Sequence, residues 1–162
     1  KMTEARKASM LFVSTPIISQ DFVLFARRDA VPRFSGDLID IAGQRIGIAR
    51  KTSYGAVFDR AVADGILRNL DESTSFEMNF RKLVAGRIDL VINSLDVGMR
   101  LLSTIEGGQN IVILNPPVER VQSYLAFTRK RDFSMLATEL DKALATMLED
   151  GTVGRIMNAY GQ

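Results

Sequence analysis

Apolar residues fall along this chain in two alternating patterns, and the alternation predicts an α/β protein. Short apolar runs stand at Met10–Val13, Phe22–Phe25, Ile111–Leu114 and, most clearly, Ile88–Ile92. A run of this kind, interrupted in Ile88–Ile92 only by Asp89, suits a strand covered on both faces of a sheet. Between the runs, apolar residues recur three and four positions apart. Ser53–Asp64 carries Val57, Phe58, Ala61 and Val62 on one helical face. A helix capped by Thr74 or Ser75 carries Phe76, Phe80, Leu83 and Val84, and Gly86 ends it. The spacing of Phe133, Leu136, Leu140, Leu144 and Met147 predicts a long helix over 132–149.

Weaker signals complete the pattern. Thr3 caps an opening helical turn, and Gly36–Ala42 forms a short helix stopped by Gly43. Strands are expected at Arg45–Ala49, Ile66–Leu70 and Tyr124–Thr128, and helices at Asp96–Ile105 and Val153–Tyr160. Met78, Met99, Met135, Met147 and Met157 fall at helical spacing and read as core filler. Most of this forms one βαβαβ unit with right-handed crossovers and helices on both sheet faces. Open α/β sheets gather ligands at the C-terminal ends of their strands. Two loops are therefore singled out, Arg50–Tyr54 and Asn93–Asp96.

Composition narrows the chemistry. The 162 residues include no cysteine and no histidine, so disulfides, thiolate or imidazole metal ligands and histidine-based catalysis are excluded. A net charge of +2, with no basic run interleaved with aromatics, argues against nucleic acid. No apolar stretch is long enough to span a membrane. The first residues lack the apolar core of a signal peptide, and Lys1 precedes the first Met, so the chain reads as a piece of something longer. No cofactor or metal is expected.

Within the two loops, Thr52 and Ser53 stand at a strand-to-helix turn, where hydroxyls and the free N–H groups of a first helical turn suit a carboxylate or phosphate. Ser53 alternatively only caps its helix. Lys51 adds a positive charge beside the turn or is a solvated lysine. Arg6 is a candidate for a bidentate grip on a carboxylate. Asn93, Ser94 and Asp96 either cap the next helix, with Ser94 or Asp96 as the N-cap, or hydrogen-bond a polar ligand. Asp89 starts its strand, away from the ligand end, and reads as part of a structural turn.

Several motifs, in order, resemble the family 3 extracellular solute-binding proteins. Thr3-Glu4-Ala5-Arg6 with Phe12 and Ser14-Thr15-Pro16 is similar to the family's "T-x-x-R … F-S-x-P-Y". Leu38 to Ile48 is similar to "D-L-x-G-K-x-I-G-V", Thr52-Ser53-Tyr54 to "G-T-S-Y", and Leu83 to Asp89 to "L-x-x-G-R-I-D". Tyr124 to Lys130 and Glu149 to Thr152 resemble the closing motifs. The resemblance implies a type II periplasmic-binding-protein fold, with the second lobe complete and only part of the first present. Residues 1–22 would be a remnant of the first lobe and the start of the hinge, and 23–130 the second lobe with both hinge strands. Residues 131–162 would be C-terminal helices. The hinge strands would run through Ser19–Arg28 and Val121–Lys130.

The resemblance also assigns roles. Arg6 matches the arginine that grips a ligand α-carboxylate, and Thr52 and Ser53 match hydroxyls that meet the same group. Five residues after Asp89, where the family's aspartate holds an α-ammonium, stands Ser94; the glycine before "T-S-Y" is Lys51, and the aromatic after Ser-Thr-Pro is Ile17. Asp96 could compensate if the loop is shifted. The expected function is extracytoplasmic, in the periplasm: binding of a small polar, carboxylate-bearing ligand for an ABC-type transporter, without catalysis. A membrane component of the transporter is the expected protein partner, and the protein itself a monomer. A sensor domain, a periplasmic dehydratase using Asp96 and a transcription-regulator effector domain share the fold as alternatives.

Overall fold

The computed structural model describes residues 4–160; the expected cap at Thr3 lies outside them. In chain order the elements are α1 (Glu4–Ser9), β1 (Met10–Phe12), β2 (Ile18–Arg27), a 3-10 turn (Leu38–Ile41), β3 (Ile46–Ala49), α2 (Ala56–Ala63), β4 (Leu70–Ser73) and α3 (Phe76–Val84). There follow β5 (Leu90–Ser94), α4 (Leu95–Thr104), a 3-10 turn (Gly108–Asn110), β6 (Ile111–Ile113), β7 (Glu119–Ser123), β8 (Ala126–Thr128), α5 (Ser134–Glu149) and α6 (Thr152–Tyr160).

Two compact units emerge, one of Gln20–Arg120 and one of the residues up to Ser19 together with those from Val121 onward. The boundaries fall inside β2 and β7, which carry the chain from one unit to the other. This division groups Val121–Lys130 with the first unit, whereas the sequence reading grouped 23–130 together.

The second unit is built on a sheet ordered β4-β3-β5-β2-β6, with β7 also paired to β2. β3 is parallel to both β4 and β5, while β2 is antiparallel to β5 and β6. Alternation along β2 explains its unbroken apolar run. Val23 and Phe25 join Val91, Phe80, Leu83 and Leu102 on the face covered by α3 and α4. The opposite face carries Phe22, which meets the Tyr54 ring edge-on, and Tyr54 in turn meets Phe58 of α2. Each such fully buried large side chain contributes about 1.5–3 kcal/mol relative to exposure.

The Leu83–Ile92 block folds through a Schellman turn. Gly86, at φ 69°, sits in the left-handed region; its N–H donates to the Leu83 carbonyl and that of Arg87 to the Lys82 carbonyl. Asp89 is structural: its carboxylate accepts the Arg45 N–H at 2.7 Å.

Several elements differ from expectation. The strand expected at Ile66–Leu70 lies at Leu70–Ser73. The Ile66 and Leu67 N–H groups both donate to the Ala61 carbonyl, so they close α2 instead of starting a strand. The helix expected over Gly36–Ala42 is one 3-10 turn, capped by Asp37 accepting the Ile39 N–H at 2.9 Å. Met78, Met99, Met135 and Met157 are exposed rather than core filler, Met135 at 85 %.

The first unit pairs β1 with β8 antiparallel, in register Leu11 to Phe127. Val13, Ala137 and Leu144 form its core, with Leu11, Ile17, Phe127 and Leu140 packed against it. The buried stripe of α5 therefore runs through Ala137 and Leu144, and Leu136 is exposed. Asp141 pins α5 to the turn that follows β1, by accepting the Thr15 N–H at 2.7 Å.

Candidate functional site

β3 and β5 are parallel neighbours, in register Ile46 to Leu90 and Gly47 to Val91. Their outgoing loops therefore leave the same edge of the sheet, where α/β ligand sites form. Lys51, Thr52 and Ser53 follow β3, while Ser94 and Asp96 follow or end β5. Of the residues singled out in the sequence, all but Arg6 lie along this edge. Arg6 is exposed on α1 of the first unit.

The 50–55 loop is shaped by its own hydrogen bonds. Lys51 has φ 57°, the left-handed region that favours glycine. The Thr52 hydroxyl donates to the Arg50 carbonyl at 3.4 Å, a long contact. The Ser53 hydroxyl lies 2.5 Å from Asp59, and the same carboxylate accepts the Tyr54 N–H at 3.0 Å. Tyr54 turns inward and its phenol oxygen accepts the Ala49 N–H at 2.6 Å. Burial raises the Tyr54 pKa, and the negative charge of Asp59 adds to the rise.

Ser53 does not cap α2. The helix begins at Ala56, and its N-cap is Gly55, at φ 117°, which has no side chain to offer. Glu119 supplies a carboxylate instead, accepting the Val57 N–H at 2.9 Å. The N–H groups of Tyr54 and Val57, expected to await an external anion, thus already meet carboxylates of the protein.

At the end of β5, Asn93 and Ser94 are buried. The Asn93 side-chain oxygen Oδ1 accepts the Ser94 N–H at 2.8 Å, while Asn93 Nδ2 and Asn79 Oδ1 meet no hydrogen-bond partner among the described residues. Ser94 is the N-cap residue of α4 without a side-chain cap bond, and Asp96 sits exposed in that helix's first turn. Among the described residues no group of three or more Asp or Glu is placed to hold a metal ion.

Sequence reasoning passed over Asp59 and Glu119. Asp59 had a readable signal, an acid five residues past the turn, in reach of Tyr54 once the helix starts at Ala56. Glu119 had none, because it is 62 positions from its partner.

Among solved structures, the amino-acid ABC transporter extracellular-binding protein ytmK of Bacillus subtilis superposes with a TM-score of 0.79 at 16 % identity, covering 99 % of this chain and 67 % of that one. The fold is that of the family 3 solute-binding proteins. A histidine kinase sensor domain with similarity to periplasmic binding proteins also superposes, at a TM-score of 0.74 and 22 % identity, covering 98 % of this chain and 66 % of that one. A curated relative, named as the amino-acid ABC transporter-binding protein PatH of Vibrio harveyi, is 26 % identical over 155 residues. That match covers 96 % of this chain, which spans only 59 % of the length of PatH. No family model matches. On the family 3 frame, the left-handed Lys51 explains a glycine at that place in the motif, since glycine adopts this φ without steric cost.

Proposed function

We propose that this chain binds a small polar, carboxylate-bearing ligand outside the cytoplasm, by closure of two lobes, and delivers it to the membrane component of an ABC-type transporter. The observation that supports the reading is the parallel pairing of β3 and β5, so that the loop carrying Lys51 and Thr52 and the end of β5 at Ser94 lie along one edge of the sheet. The name of PatH supports the transport role. On this reading the Thr52 hydroxyl and Lys51 ammonium meet the ligand carboxylate, and Arg6 supplies the bidentate contact that the motif assigns to it. Ser53 contributes its oxygen, and Ser94 and Asp96 meet the rest of the ligand.

Thermal shift against amino acids, against succinate and glutarate, and against putrescine and spermidine tests it. Stabilisation by carboxylates that is lost in Thr52→Ala and Arg6→Ala is expected. Stabilisation by the polyamines alone would overturn the carboxylate reading.

A second reading, a ligand-sensing domain of a membrane signalling protein, draws support from the likeness to the histidine kinase sensor domain. It requires an encoded protein that continues into a transmembrane segment. The dehydratase alternative loses support because Asp96, its required acid, is exposed instead of held in an apolar pocket.

A further inference from the structure

We propose that Glu119 is the positioning residue of the Lys51–Gly55 loop, a role in ligand binding that rests on the reading above. The first N–H groups of any helix lack internal partners. For α2 the N-cap is Gly55, which has no side chain, and the nearby Asp59 is turned back onto Ser53 and Tyr54. Glu119 reaches in from β7 to take the Val57 N–H at 2.9 Å. The first turn of α2, and with it the end of the Thr52–Ser53 loop, is thus tethered to a strand distant in sequence.

That strand is itself held. Arg120, the next residue, forms a two-bond grip on Asp21 of β2, at 2.6 and 2.9 Å. β2 and β7 are the two strands through which the chain leaves this unit. A continuous path therefore runs from the loop through the α2 first turn and Glu119 to both crossing strands. Movement of the loop on ligand contact pulls on Glu119, and displacement of β7 pulls on the loop.

Amide hydrogen exchange of the protein without ligand tests this, read by segment in the wild type, Glu119→Gln, Glu119→Asp and Glu119→Ala. Gln keeps an acceptor oxygen at the same reach, Asp shortens the arm by one methylene, and Ala removes it. Exchange across 52–58 is expected to quicken about tenfold in the Ala and Asp variants, and to stay within about twofold of wild type in Gln, with α3 and β5 unchanged. Equal exchange across 52–58 in all four proteins, or a uniform rise across the unit, would overturn the proposal. Should the Ala variant not fold, the Asp and Gln variants decide alone. Since no ligand enters the measurement, a loosened loop beside a blank ligand panel would retire the binding reading and leave the tether standing.

Discussion

The Ser53 hydroxyl stands 2.5 Å from Oδ2 of Asp59, whose other oxygen takes the Tyr54 N–H at 3.0 Å. A carboxylate can only accept, so the serine hydroxyl is the donor to Asp59 and its oxygen keeps the capacity to act as an acceptor. One acid thereby fixes two consecutive residues of the candidate site. Replacing it should loosen the loop more than a surface charge would. Asp59→Ala is expected to cost about 1–2 kcal/mol in denaturant unfolding, and Asp59→Asn less than half of that, because its carbonyl still accepts the Tyr54 N–H. Equal losses in the two variants would show that charge, and not the hydrogen bonds, carries the effect.

Lys51 at φ 57° gives a second prediction. A side chain in the left-handed region costs about 1–2 kcal/mol, offset in part by the greater freedom glycine has when unfolded. Lys51→Gly should therefore raise stability by about 0.5–1 kcal/mol, and Lys51→Ala should leave it near wild type. If the ammonium contacts the ligand, both variants should lose carboxylate affinity alike. Urea unfolding and calorimetric titration separate the two effects.

Acid should weaken each unit through an identifiable carboxylate. The Arg120 guanidinium lowers the pKa of Asp21, and hydrogen bonds from Thr15 lower that of Asp141. A carboxyl depressed below its unfolded value contributes stability that is fully present above that value, near 3.8, and is lost as pH falls through the folded one. Melting temperature should thus be flat from neutral pH down to about 5 and fall below about 4. Asp141→Asn keeps an acceptor for Thr15 but no longer titrates, so its acid-side fall should be shallower than that of wild type. A parallel fall would remove Asp141 from the account.

The parts of the molecule that were legible in the sequence are those decided locally. Gly86 is readable because a helix ending in a Schellman turn needs its φ, and β3 and the Leu90–Ile92 part of β5 because strands covered on both faces carry continuous apolar runs. β4 was misplaced because it is the sheet edge, where Asp71 and Glu72 keep it polar, while the apolar Ile66 and Leu67 close a helix. The apolar pattern does not show β7 for a similar reason, its Glu119, Arg120 and Gln122 giving no apolar run, and only the family resemblance runs a strand through its second half from Val121. At the candidate site, strand ends located Thr52, Ser53 and Ser94. They did not reveal that Asp59 and Glu119 hold this turn, since an acid on a helix or a polar strand reads as a solvated group until its partner is known.

Ser94 offers the sharpest test of ligand class. It is buried, it is the N-cap residue of α4, and its side chain makes no cap bond. Aspartate is among the best N-cap residues, and a negative charge there is favoured by the helix dipole. Ser94→Asp should accordingly fold with stability within about 1 kcal/mol of wild type. The new carboxylate would stand at the shared edge of β3 and β5, where a ligand ammonium could receive a charge-assisted hydrogen bond that the serine hydroxyl cannot match. Affinity for α-amino acids is expected to rise about tenfold, and affinity for succinate and glutarate to fall through like-charge repulsion. Calorimetric titration of both ligand sets against both proteins reads this directly. No gain for amino acids in a well-folded variant would mean that Ser94 does not face the ligand.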